Sequence, residues 1–198
     1  MIKVWSSENG VLLATLKSHK AIINSIDISP CNKYLASCSN DGSIRLWNFL
    51  EKKPIAVLRE NINEKMLILF FYSFEPMTHN ICQKLLLICA SEEGSIYLYD
   101  SEDFLENNGI YLPSQKVIRL ESPHMQLYDF PSSKGICCID CHPDGFIAVG
   151  TQLGDIVVFD SVRKLQDYGG TETSLKSWLW AEHKKTCHLV VWSKDGSK

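Results

Sequence analysis

Short runs in which apolar and polar residues alternate fill this chain, and turn residues bound nearly all of them, a pattern that predicts strands. Ile2 to Trp5 and Val11 to Leu16 read as two strands joined by Ser6-Ser7-Glu8-Asn9-Gly10, whose Asn-Gly end is a hairpin signal. Ile22 to Ser29, Tyr34 to Ser39, Ser43 to Trp47 and Pro54 to Leu58 follow, with turns at Ser29-Pro30-Cys31-Asn32 and Asn40-Asp41-Gly42. Alternation puts Ile26 with Ile28 on one face of their strand, and Ile44 with Leu46 on one face of theirs. A second set of four is predicted at Met66 to Phe74, Leu85 to Ser91, Ser95 to Tyr99 and Lys116 to Leu120. A third set occupies Gly135 to Cys141, Phe146 to Gly150, Asp155 to Phe159 and Leu175 to Trp180. Finally, Cys187 to Trp192 followed by Ser193-Lys194-Asp195-Gly196 repeats the plan of Ile136 to Cys141 followed by His142-Pro143-Asp144-Gly145, and predicts one more strand.

The wording of these sets recurs. Asp41-Gly42-Ser43-Ile44-Arg45-Leu46-Trp47-Asn48 returns as Glu93-Gly94-Ser95-Ile96-Tyr97-Leu98-Tyr99-Asp100 and as Leu153-Gly154-Asp155-Ile156-Val157-Val158-Phe159-Asp160, while Ile2-Lys3-Val4-Trp5 is the tail of another copy. Trp5 and Trp47 stand 42 residues apart, and the steps to Tyr99 and Phe159 are 52 and 60. The first fits the period of about 40 to 45 residues of a four-stranded propeller blade, and the others require insertions. Glu75 to Lys84, Ser101 to Gln115 and Ser161 to Ser174 read as those insertions, all polar connectors.

An aromatic residue followed by Asp or Asn after an Asp-Gly turn, with His19 about 28 residues before Trp47, resembles the WD40 repeat family. More narrowly, residues 2 to 58 are similar to the early repeats of the bromodomain and WD-repeat proteins. The resemblance implies an all-β fold: a partial propeller with three complete four-stranded blades and two incomplete ones. Residues 1–17 would end one blade, residues 18–58, 59–120 and 121–180 would be whole blades, and residues 181–198 would begin a further one. It also implies that His19, a serine of the second strand (Ser37 or Ser39), Asp41 and Trp47 form a buried hydrogen-bonded set that holds the blade together.

Composition narrows the functional classes. The chain has 198 residues, 45% of them hydrophobic, which is enough for a sizeable core. Its 20 basic residues against 23 acidic ones are scattered, so nucleic acid is not the expected partner. The most apolar run, Met66 to Phe74, is far shorter than the roughly 20 residues of a membrane helix and suits a buried strand. Eight cysteines without a secretory leader after Met1-Ile2-Lys3 read as reduced thiols of the nucleus or cytosol.

Two motifs invite chemistry. His19, Ser37 and Asp41 have the residue types of a hydrolytic triad, but no Gly-x-Ser-x-Gly elbow accompanies them, and later copies replace Asp41 by Glu93 and Leu153. Cys138-Ile139-Asp140-Cys141-His142 has the spacing that attaches c-type haem. When Ile139-Asp140-Cys141-His142-Pro143 is laid on Ile26-Asp27-Ile28-Ser29-Pro30, however, Cys141 takes a core position and His142 a turn position. No cofactor or metal is therefore expected. The sequence reading is a noncatalytic scaffold for other proteins; the family resemblance implies that its partner face carries Lys20, Asn40, Glu92 and Gln152, and the narrower one implies a nuclear protein, with the cytoplasm as the alternative. The narrower resemblance adds chromatin association or the role of substrate receptor in a cullin ubiquitin ligase. For the latter, the arginine expected two places after the Trp-Asp dipeptide is Leu50, Glu102 or Val162. A cysteine-based redox or haem protein is the reading from another class.

Overall fold

Within each sheet every strand pairs with the next in sequence, giving simple antiparallel meanders. The computed structural model describes residues 1–60, 64–73, 85–94, 96–100, 118–119, 135–160, 177–180, 183 and 185–193, and none of them is helical. Strand β1 (Ile2–Trp5) pairs with β2 (Leu12–Leu16) in a two-stranded sheet. A four-stranded sheet follows in the order β3 (Ile23–Ile28), β4 (Tyr34–Ser39), β5 (Ser43–Asn48) and β6 (Lys53–Glu60). The next holds β7 (Met66–Ser73), β8 (Leu85–Ser91), β9 (Ile96–Asp100) and β10 (Ile118–Arg119), and the last β11 (Ile136–Cys141), β12 (Ile147–Thr151), β13 (Ile156–Phe159) and β14 (Ser177–Trp180). The expected connectors at 75–84, 101–115 and 161–174 lie outside the described residues.

The sheets stack through their faces. Trp47 and Leu35 meet Ile2 and Leu16 at the first junction. Ile44, Leu46 and Cys38 meet Met66, Leu87 and Tyr97 at the second, and Ile88, Leu98 and Tyr72 meet Ile136, Ile147 and Val149 at the third. Strand β7 explains the long apolar run: Leu69 and Phe71 join the second junction while Ile68, Phe70 and Tyr72 serve the third. A strand buried on both faces needs no polar side.

Register shows how closely the copies agree. Ile28 opposes Leu35, Phe71 opposes Leu87 and Cys141 opposes Ile147. The same irregularity falls early in β3, β7 and β11, between Ile23 and Ser25, Met66 and Ile68, and Ile136 and Cys138. Such a bulge re-aims the neighbouring side chains. In β3 it directs Asn24 Nδ2 to the Met66 carbonyl (2.7 Å) and Ser25 Oγ to the Leu69 carbonyl (3.2 Å), tying one sheet to the next.

Residues 187–192 differ from the expected strand: they have no ladder hydrogen bonds. A strand assignment needs a partner, and none of the described residues pairs with this segment. Side chains and turn atoms hold it instead. Cys187 N–H donates to the Thr151 carbonyl (3.0 Å), and Trp192 N–H donates to Asp140 Oδ2 (2.8 Å), the same bridge that Phe71 N–H makes to Asp27 Oδ2 (2.7 Å).

Gly154 makes the turn after β12 possible. Its φ is +93°, and a Cβ there would run into the carbonyl oxygens of His183 and Lys185. Gly10 has a similar φ of +68° but open space around it. Gly154→Ala is therefore expected to cost about 2 to 4 kcal/mol, combining backbone strain with a clash against main chain, and Gly10→Ala about 1 kcal/mol. Paired denaturation curves check this, and equal losses at the two sites would refute it.

Candidate functional site

The turn between β4 and β5 carries the most highly connected polar cluster described. Strand β4 delivers Ser37 inward, the turn delivers Asp41, strand β5 delivers Trp47, and His19 arrives from the segment ahead of β3. Trp47 Nε1–H donates to Ser37 Oγ at 3.0 Å. Ser37 Oγ lies 2.7 Å from His19 Nε2, and His19 Nδ1 lies 3.1 Å from Asp41 Oδ2. The carboxylate only accepts, so neutral His19 carries its proton on Nδ1, and Nε2 accepts from Ser37. Of the two serines weighed from sequence, Ser37 is thus in the set, whereas Ser39 Oγ accepts from Asp41 N–H at 3.1 Å. Sequence reasoning missed Ser43, whose Oγ–H donates to Asp41 Oδ1 at 2.6 Å and whose N–H donates to the same oxygen at 2.9 Å. Lys20 N–H donates to Oδ2 at 2.7 Å. The Asp-x-Ser spacing is the signal that identifies Ser43, since a turn aspartate commonly accepts from the residue two places on.

Electrostatics follow from this enclosure. Burial by itself raises the Asp41 carboxyl, but the hydrogen bonds from Ser43 and from Lys20 N–H, with the nearby His19, outweigh it and hold the group well below the usual carboxylate range. Burial lowers His19 from its ordinary value of 6.5, more strongly than Asp41 raises it. Both folded values lie below their unfolded ones, so on acidification the unfolded chain takes up these protons first. The His19 contribution to stability is complete above about pH 6.5 and is lost as pH falls toward its folded value, and the Asp41 contribution is lost below about pH 4. Denaturant midpoints from pH 7.5 to 5 should therefore decline, and decline less in His19→Gln. Identical slopes in parent and variant would count against this account.

The cluster has the order of a hydrolytic triad, yet Ser37 is fully buried, with its oxygen between Trp47 and His19. The other sheets do not repeat it. By register, Ser37 corresponds to Cys89 and Val149, Trp47 to Tyr99 and Phe159. In the second sheet a buried Glu64 accepts from Tyr97 Oη–H at 2.8 Å instead.

The haem-like spacing also resolves into fold. Cys138 is buried toward Cys187, whereas Cys141, partly buried, packs on the opposite side of β11 against the third junction. Two thiols on opposite sides of a strand do not share one haem. His142 sits in the turn, accepting at Nδ1 from Asp144 N–H (3.0 Å) and meeting the Trp192 ring edge-on at 5.0 Å. Among the described residues no group of three His, Cys, Asp or Glu side chains is arranged to hold a metal. Among the described residues six cysteines are outside any disulfide, but Cys31 is disulfide-bonded, which departs from the expectation of reduced thiols throughout.

The four residues assigned to a partner face occupy one end of the sheets. Asn40, Glu92 and Gln152 each follow the second strand of a sheet, and their N–H groups donate to the carbonyls of Ile22 (2.9 Å), Lys65 (2.9 Å) and Gly135 (3.0 Å). Glu92 Oε2 pairs with Lys65 Nζ at 2.9 Å, and Asn40 Oδ1 accepts from Asn24 Nδ2 at 2.6 Å. Lys20 and Gln152 are exposed, and Asn40 and Glu92 partly so.

Comparison with known proteins agrees with this architecture. Residues 10–48 match the WD40 family model, described as WD domain, G-beta repeat. The chain is 27% identical over 162 residues to Restriction of telomere capping protein 1 of Lodderomyces elongisporus, covering 81% of this chain and 13% of that protein. It is 46% identical over 48 residues to a bromodomain and WD repeat-containing protein of Dictyostelium discoideum, covering 24% of this chain and 2% of the relative. The chain thus spans a small part of each relative's length. Among solved structures, the β-propeller domain of Cps50 (Swd1) from Myceliophteria thermophila superposes with a TM-score of 0.66 at 16% identity, over 97% of this chain and 52% of that one.

Proposed function

We propose that this chain, which carries a WD40 repeat at residues 10–48 and has a β-propeller fold, is a noncatalytic scaffold. It binds other proteins through the end of the sheets that carries Lys20, Asn40, Glu92 and Gln152. The observation that supports it most is the fixed main chain there: at three equivalent turns the residue after the second strand is tied to the residue ahead of the first by a hydrogen bond of 2.9 to 3.0 Å. A surface whose backbone is already ordered avoids the roughly 1 to 2 kcal/mol per residue that ordering a loop costs on binding. Strands β9 and β13, which precede residues 101–115 and 161–174, end at the opposite end of the sheets. The Asp41 cluster supports the face from beneath, since Lys20 N–H is bonded to its carboxylate. The names of the two relatives, one referring to restriction of telomere capping and one to a bromodomain, favour a nuclear, chromatin-associated setting.

Charge reversal tests the face. In a quantitative pull-down, Lys20→Glu or Glu92→Lys should weaken capture of a bound protein on the order of tenfold where the residue lies centrally. Removing residues 101–115 should leave capture unchanged. Loss of binding on the deletion, with both reversals neutral, would move the site to the opposite end.

A further inference from the structure

Cys138 on β11 and Cys187 in the segment after β14 are 49 residues apart in sequence, and their sulfurs stand 3.9 Å apart. Cys138 Sγ–H donates to the Cys187 carbonyl at 3.4 Å, and both residues are buried. Gly150, directly across the ladder from Cys138, provides the space. A Cβ at Gly150 would fall 2.5 Å from Cys138 Sγ and 2.7 Å from Cys187 Sγ, so any side chain there would push the thiols out of place. The arrangement is peculiar to this junction. At the equivalent places Ser25 opposes Cys38 and Ile68 opposes Ala90, and Ser25 Oγ binds the Leu69 carbonyl where Cys138 meets a second thiol.

We propose that Cys138 and Cys187 form a redox-responsive pair whose oxidation to a disulfide fastens residues 187–192 covalently to β11 and whose reduction returns the segment to its noncovalent contacts. The segment is the natural moving part, because it has no ladder hydrogen bonds. Among the described residues its attachments include Cys187 N–H to Thr151, Cys138 Sγ–H to the Cys187 carbonyl, Trp192 N–H to Asp140 and the ring contact with His142. A disulfide shortens the sulfur separation to about 2.05 Å, a shift that an unpaired segment accommodates and a laddered strand resists. With hydrogen peroxide as oxidant, the Cys187 sulfur attacks one peroxide oxygen, the O–O bond breaks, and Cys187 becomes a sulfenic acid while the other oxygen leaves as hydroxide and takes up the thiol's proton to become water. The Cys138 sulfur then attacks Cys187 sulfur, the S–O bond breaks, and a second water carries off the Cys138 proton. The two sulfurs together lose two electrons to the peroxide. Burial first, and then the neighbouring Cys187, push the Cys138 thiol up to about 12, which makes it the poorer first nucleophile.

The test uses the whole chain, reduced and then exposed to stoichiometric hydrogen peroxide, with free thiols alkylated before digestion and mass spectrometry. The expected result is a linked peptide pair containing Cys138 and Cys187, with loss of both thiols and recovery of both on adding dithiothreitol. Cys38 and Cys89, fully buried elsewhere, should stay alkylatable after unfolding. Mixing isotopically heavy and light chains should give links only within like-labelled chains, and amide exchange at Cys187 and Trp192 should slow on oxidation. Cys137→Ser should retain the link and Cys138→Ser should abolish it. A link through Cys137, a link between chains, or stable sulfinic acid at Cys187 without any link would overturn the proposal, and so would two untouched thiols.

Discussion

Trp47→Ala should destabilise the fold by about 3 to 5 kcal/mol, since the ring is 2% exposed and its removal opens a cavity at the first junction. The loss has two parts. Ile2, Leu16 and Leu35 lose the surface they pack on, and Ser37 Oγ loses the indole N–H that binds it at 3.0 Å. Trp47→Phe separates the two, because it keeps much of the packing and removes the donor. A single lost hydrogen bond accounts for about 1 kcal/mol, so the phenylalanine variant should sit much closer to the parent. Chemical denaturation of the three proteins under identical conditions decides this. An alanine variant within error of the parent would mean that Trp47 does not anchor the junction.

Residues 1–198 prepared alone should self-associate rather than run as a compact monomer. The cause lies in β3. Its Ile26 is 51% exposed and Ile28 is 38% exposed, whereas Ile139 and Cys141, their counterparts by register in β11, are packed against the junction with β7 and β8. Ile22 and Met1 extend the same apolar region at 68% and 67% exposure. Among the described residues β1 pairs only with β2 and β3 only with β4, so unpaired edges lie beside this uncovered surface. Open edges next to apolar faces promote association. Light scattering coupled to size exclusion gives the answer directly. Ile26→Lys combined with Ile28→Thr should shift the population toward monomer, and a parent chain that already elutes at monomer mass would refute the prediction.

Much of the architecture was legible because it is local. Most predicted strands agree with the observed ones to within two residues, since side chains alternate with a fixed period of two and Gly42, Gly94 and Gly154 mark equivalent turns. The ends are less regular: Pro54 to Leu58 lengthens to Lys53–Glu60, and of Lys116 to Leu120 only Ile118–Arg119 lies within the described residues. The polar cluster was legible for a different reason. His19, Ser37, Asp41 and Trp47 lie within one repeat, so a resemblance in that repeat located all four. Ser43 went unnoticed because a serine two places after a turn aspartate is also an ordinary strand opening.

What the sequence by itself determined was the set of strands, their order within each sheet and the turn chemistry that joins them. These follow from periodicity and from interactions a few residues long. Only the tertiary structure decided which surfaces are covered and which distant groups meet. Ile26 and Ile139 read alike in sequence, yet one faces solvent and the other a neighbouring sheet. Phe71 finds Asp27 from 44 residues away, Trp192 finds Asp140 from 52, and Cys187 finds Cys138 from 49. The repeated Ile-Asp pair at 26–27 and 139–140 hinted at the first two bridges, but a side chain that crosses between sheets is fixed by how their bulges and faces pack, which no local pattern encodes. The same reason removes the strand from residues 187–192: alternation supplies a strand's side chains, and only a neighbouring backbone supplies its hydrogen bonds.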